Sequence, residues 1–115
     1  MRVTRHVSAP GYGPPDHHGV AAMRLQGHEA GPTERFWVGL SYYLSGGGAG
    51  ESPAGEETVY VVLDGTLVVT AAGQEAELGP LDSVHLPKGT VRRVDNQSAR
   101  PATLLVIIGT RQEPS

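Results

Sequence analysis

The stretch Gly79-Pro80-Leu81-Asp82-Ser83-Val84-His85-Leu86-Pro87-Lys88-Gly89-Thr90-Val91-Arg92-Arg93-Val94-Asp95-Asn96 decides the fold. Gly79-Pro80 and Asp82 are turn residues, and they introduce a short strand candidate from Ser83 to Leu86. Pro87-Lys88-Gly89 turns the chain again, and Val91 to Asn96 returns. Upstream, Thr58 to Leu63 is β-branched or aromatic almost throughout, and Asp64-Gly65 is a strong hairpin turn into Thr66 to Thr70. Ala72-Gly73 turns before Gln74 to Leu78. Downstream, Pro101 to Ile108 contains Thr103-Leu104-Leu105-Val106-Ile107-Ile108, the most apolar run of the chain.

Nearer the N-terminus, Phe36 to Leu44 predicts a strand that stops at the Gly46-Gly47-Gly48 run, and Val20 to Leu25 predicts a weaker one. Residues 8–19 read as an irregular arm, because Pro14 and Pro15 force extended or turn geometry. No window shows helical periodicity. Many short strands at regular spacing, with turn residues between them, read as an all-β sandwich or barrel.

With 115 residues the chain makes one domain. It has no cysteine, which excludes disulfides, zinc–thiolate and iron–sulfur sites, and a cysteine nucleophile. No apolar run approaches the roughly 20 residues that a membrane span needs, and the N-terminus lacks a signal-peptide pattern. A cytoplasmic protein with no membrane partner is therefore expected. The net charge is −3, with eight Arg and one Lys, so no basic surplus argues for nucleic acid. The bias towards Arg favours planar two-point contacts with carboxylates.

The stretch quoted first resembles the second cupin motif, G-D-x(4)-P-x-G-x-x-H-x-x-x-N, with Asp82, Pro87, Gly89 and Asn96 at matching positions. Gly46-Gly47 through Tyr60-Val61-Val62-Leu63-Asp64-Gly65 resembles the first, G-x(5)-H-x-H-x(3,4)-E-x(6)-G. The resemblance implies a cupin double-stranded β-helix, a jelly-roll barrel that is often dimeric. It divides the chain into an N-terminal arm and edge strand (1–35), a barrel (36–109) and a C-terminal tail (110–115).

The family's pocket usually holds a metal on three His and one Glu. Counting back from Gly65 puts the His-x-His positions near Glu51 to Ala54, where there is no His, and the Glu position at Thr58. The last His position is Arg92, and Leu81 replaces the glycine before Asp82. Arg has no acceptor and is always charged, so it cannot bind a cation. No metal is expected at the usual position, and no cofactor. A rearranged metal site drawn from His17, His18, His85 and Glu57 remains an alternative.

Arg92 is the most informative polar residue. The motif register turns it inward, where its fork would anchor a carboxylate or enolate, while alternation sends Arg93 outward. Glu57 is the candidate base and the internal partner of Arg92, and Glu56 reads as a solvated loop residue. His17 and His18 lie on the arm, where they would supply acid–base chemistry or ligand contacts. Trp37, Tyr60 and His85 are candidate pocket-lining residues, with strand core as the plainer reading for the aromatics. His6 and His28 carry no context that lifts them above surface residues.

These residues predict a metal-independent small-molecule enzyme of isomerase, lyase or cyclase type. Its substrate would be enolisable or carboxylate-bearing, and the resemblance to small single-domain cupins implies polyketide metabolism as one setting. Catalytic roles fall to Glu57, Arg92 and His17, and substrate binding to His18, Trp37, Tyr60 and His85. A metal-dependent oxygenase or isomerase and a non-catalytic ligand-binding cupin are the alternatives. A homodimer is expected.

Overall fold

Strand β3 (Phe36–Pro53) is the spine of the molecule. A computed structural model describes residues 1–111. The other strands are β1 (Gly11–Tyr12), β2 (His17–Gln26), β4 (Thr58–Asp64), β5 (Leu67–Ala71), β6 (Gln74–Leu78), β7 (Ser83–Leu86), β8 (Val91–Asp95) and β9 (Ala102–Gly109). Short 3₁₀ turns cover His6–Ser8 and His28–Ala30. No helix among the described residues is long and apolar enough to cross a membrane.

All pairings are antiparallel, in the order β6-β5-β8-β3-β9-β4-β7, with β2 also on β3 and β1 on β2. The first half of β3 pairs with β9 from Phe36↔Gly109 to Tyr43↔Ala102. Its second half pairs with β8 from Gly48↔Asp95 to Pro53↔Val91. One strand thus serves both sheets of an all-β barrel.

The predicted stop at Gly46-Gly47-Gly48 is therefore a correction: β3 runs straight through it. The glycines let it bend. Gly46 has φ 78°, and a Cβ on Gly47 would sit 2.4 Å from the Gly19 carbonyl oxygen. The strand expected at Val20–Leu25 is longer than predicted, and it carries His17 and His18 into the sheet.

Alternation builds the interior. Tyr60 and Val62 on β4, Leu67 and Val69 on β5, Val94 on β8, and Leu104 and Val106 on β9 are buried together. Each such side chain contributes about 1.5–3 kcal/mol by leaving water. Asn96 is buried but satisfied. Its Nδ2 donates to the carbonyls of Tyr43 (3.1 Å) and Arg100 (2.7 Å), and its Oδ1 accepts from Ser98 N (3.0 Å) and Oγ (2.8 Å). This pins the β8–β9 turn against β3. Asp82 accepts from Gly79 N at 2.9 Å, which closes the turn before β7.

Candidate functional site

The barrel opens on a cavity of about 410 Å³. Its walls follow from strand parity. Trp37, Ser41 and Tyr43 alternate inward on β3, Tyr60 on β4, Arg92 on β8, and Leu104, Val106 and Ile108 on β9. The arm closes one side with Tyr12, Pro14 and Pro15, and β2 adds His17 and Arg24. A second lobe of about 460 Å³ shares Trp37, Tyr60, Arg92 and His28 with the first and continues to Ala54, Glu56 and Thr58.

Arg92 sits at the junction of the two lobes. Its Nε donates to the Tyr60 hydroxyl (2.9 Å), and its Nη1 donates to the Gly50 carbonyl and to Ser52 Oγ (both 2.9 Å). Three bonds fix the plane of the guanidinium. Nη2 makes no hydrogen bond, and no carboxylate lies within ion-pair distance, among the described residues. A partly buried cation that lines a cavity and keeps a donor to spare is a site for an oxygen of a ligand. Arg93 faces out and pairs with Asp95 at 2.7 Å.

The second arginine, Arg24, is held differently. Its Cζ lies 3.5 Å from the centre of the Tyr12 ring and 4.4 Å from that of Trp37, and its Nε donates to Glu29 at 2.9 Å. Stacking on two aromatic faces ties the arm to β3. Burial pushes the Tyr12 phenol up, against the opposing pull of Arg24. The Tyr43 phenol is raised strongly, chiefly by burial, and stays protonated.

His17 is half-buried at the cavity wall, and its Nδ1 lies 2.7 Å from the Pro15 carbonyl. A carbonyl only accepts, so Nδ1 carries the proton and Nε2 is bare in the neutral ring. Burial lowers its pKa; the Pro15 contact opposes this and the Arg92 charge adds to it. The neutral, proton-accepting form is favoured.

Of the residues predicted for the site, the cavity brings together His17, Trp37, Tyr60 and Arg92. It leaves out Glu57, His18 and His85. Glu57 is exposed and accepts from His85 Nε2 at 2.6 Å on the outer surface, so it is not the internal partner of Arg92. The reason is parity: His85 stands opposite Val59, on the face away from Thr58 and Tyr60. His18 points away from His17 and is exposed, beside an irregularity in the β2–β3 register.

The sequence reading missed Arg24, His28 and Glu56. Glu56 lines the second lobe although it was read as solvated. His28 lines both lobes, with its ring centroid 5.3 Å from that of Trp37 in an edge-to-face arrangement. Its left-handed φ of 50° is the sort of local cost that a sequence does not announce.

The positions to which the resemblance assigns the metal ligands lie at the cavity wall. Ser52 lines the first lobe, Ala54 and Thr58 the second, and Arg92 both. Two hydroxyls, a methyl group and a cation do not fit a transition metal, which wants imidazole, thiolate or carboxylate donors. No group of three or more His, Asp or Glu able to hold an ion occurs among the described residues, so His17, His18, His85 and Glu57 do not converge. No chemical step here is routed through a metal.

Comparison with known proteins agrees with this architecture. The chain is 60% identical over 108 residues to a Mycobacterium tuberculosis protein named as a beta-D-galactosidase, covering 94% of this chain and 93% of that one. The solved structure of the polyketide cyclase RemF from Streptomyces resistomycificus superposes with a TM-score of 0.83 at 16% identity, covering 99% of this chain and 82% of that one. A cupin-superfamily structure described as a sugar phosphate isomerase, from Silicibacter pomeroyi, gives 0.76 at 25% identity, covering 94% and 74%. The cupin domain family matches residues 42–108, and the chain belongs to it: this is a small single-domain cupin.

Proposed function

We propose that the protein is a small-molecule enzyme acting on a β-D-galactoside seated in the barrel cavity, without a metal at the family's usual position. The observation that carries this is the 60% identity, along nearly the whole length of both chains, to the mycobacterial protein named as a beta-D-galactosidase. The cavity supports it in shape and surface. Its volume is in the range of small-ligand sites. Tyr12, Trp37, Tyr43 and Tyr60 line it with aromatic surface, and Ser41, Ser52 and Arg92 offer polar atoms to the hydroxyls of a sugar.

The usual glycosidase uses two carboxylates, and the first lobe has none. Its base is instead the neutral Nε2 of His17, placed to take a proton from water. The cationic Arg92 disfavours a free oxocarbenium ion, so attack and departure must be concerted. The test is hydrolysis of p-nitrophenyl β-D-galactoside by metal-stripped protein, with β-glucoside and α-galactoside as controls. No release above buffer from the β-galactoside sinks the reading.

A second reading keeps the cavity and changes the reaction: isomerase, lyase or cyclase chemistry on a carboxylate-bearing substrate. The spare Nη2 of Arg92 in a lobe without carboxylates favours it, since a base and a cationic oxyanion anchor are what such chemistry needs.

A further inference from the structure

We infer that the second lobe is the leaving-group subsite and that Glu56 is the catalytic acid there, protonating the departing oxygen. This rests on the galactoside reading and adds to it a residue, a subsite and a stereochemical outcome. Three observations carry it.

The two lobes share one wall, Trp37, Tyr60 and Arg92, so a ligand wider than a single sugar ring spans both across the guanidinium. Glu56 is the lone carboxylate among the described residues lining either lobe. It is also held in place. Its side chain is 29% exposed, against 69% for Glu57. Lys88 Nζ stands 3.7 Å from its Oε1, while Oε2 makes no hydrogen bond or ion pair among the described residues. Its carbonyl accepts from Thr58 Oγ1 at 3.0 Å, and the next carbonyl, of Glu57, accepts from Gly109 N at 2.8 Å. These two anchors set the backbone so that Glu56 faces the lobe and Glu57 faces His85.

The step balances. Water oxygen attacks the anomeric carbon as His17 Nε2 takes a water proton. The bond from that carbon to the leaving oxygen breaks, its electron pair stays on the oxygen, and the Glu56 carboxyl gives that oxygen a proton. Solvent then returns a proton to Glu56 and takes one from His17. A base in the first lobe and an acid in the second make this a single displacement, so the first product is the α-anomer of galactose.

The experiment compares wild type, Glu56→Gln and His28→Asn on p-nitrophenyl β-D-galactoside and on lactose. p-Nitrophenolate departs without help; the glucose of lactose needs a proton. Glu56→Gln should lose about 100- to 10,000-fold in kcat on lactose and less than about tenfold on the nitrophenyl substrate. Proton NMR of fresh wild-type product should show the α-anomer. A structural defect would lower both substrates alike. Equal losses, no loss on lactose, the substrate-dependent loss appearing in His28→Asn instead, or a β-anomer product overturns the inference while wild-type hydrolysis leaves the galactoside reading standing. A wild type inactive on both substrates overturns both.

Discussion

Arg92 can be isolated from the rest of the cavity by a ligand pair that differs in one charge. Galactose and galacturonate share a ring, but only the second carries a carboxylate. Arg92 holds its plane through Tyr60, Gly50 and Ser52 and leaves Nη2 for a ligand. A hydrogen bond to a charged partner is worth about 1.5–3 kcal/mol, against about 0.5–1.5 for a neutral one. Galacturonate should therefore bind wild type more tightly by roughly 1 kcal/mol, about fivefold. Arg92→Ala should erase that gap. Arg92→Lys should also narrow it, because an ammonium cannot reach the Tyr60 and Ser52 acceptors and the ligand in one plane. Trp37 is the chain's single tryptophan and lines both lobes, so its fluorescence reports binding directly. Thermal melting of each variant checks folding; of the freed acceptors, Tyr60 and Ser52 line the cavity, where water can satisfy them. Equal affinity of wild type for the two sugars, or a gap that survives Arg92→Ala, refutes the anchor.

The neighbouring histidines should separate cleanly: His17→Asn weakens turnover and removes the acid limb of the pH–rate profile, while His18→Ala leaves both unchanged. The sign follows from the lowered His17 pKa. The neutral base persists below the ordinary histidine range and is lost only as pH falls through the lowered value; stability is likewise full above the unfolded value and falls as His17 is forced to charge. An acid limb that persists in His17→Asn counts against this assignment. Leu81 occupies the family's glycine position with φ 70° and is exposed, so Leu81→Gly should raise Tm, by up to about 1 kcal/mol of relieved backbone strain. An unchanged or lower Tm says that the turn is not strained. Glu57→Gln with His85→Ala should leave turnover and Tm nearly untouched, since an exposed pair adds little; a large loss of activity would return Glu57 to the site. Light scattering should show the expected homodimer, and particles of 12.1 kDa at micromolar concentration would count against it.

The barrel was legible because its turns are written in residues with few other uses. Gly65 at φ 75°, Gly73 at 73° and Gly89 at 87° all sit where the sequence places tight turns, and between them short β-branched runs leave no choice but strand. The inward register of Arg92 followed from the same motif, since a fixed distance from Gly89 along a strand fixes the face. The length of β3 was not legible. Three consecutive glycines read locally as a break, and only the close approach of Gly19 to Gly47 shows that they are needed to bend a continuous strand. Local sequence carries the need for small size, but not what presses against it.

The site was legible only where strand parity reached. Trp37, Tyr60 and Arg92 lie on strands whose phase the buried residues set, and all three face the cavity. Glu56 and Glu57 lie just before β4, where no alternation applies and two carbonyl anchors decide which carboxylate turns inward. Arg24 and His28 reach the cavity from β2 and the 3₁₀ turn after it, across a register shift between Arg24 and Gln26 that breaks the count. The residues at the family's metal positions are the counterpart of these side chains. With Arg92 at a ligand position a cation there is repelled, and the Ser52 hydroxyl holds the guanidinium instead. On the proposed reading the same cavity would hold oxygen atoms of a ligand beside Arg92, with its base, His17, drawn from the arm outside the two motifs and its acid, Glu56, from a position within the first.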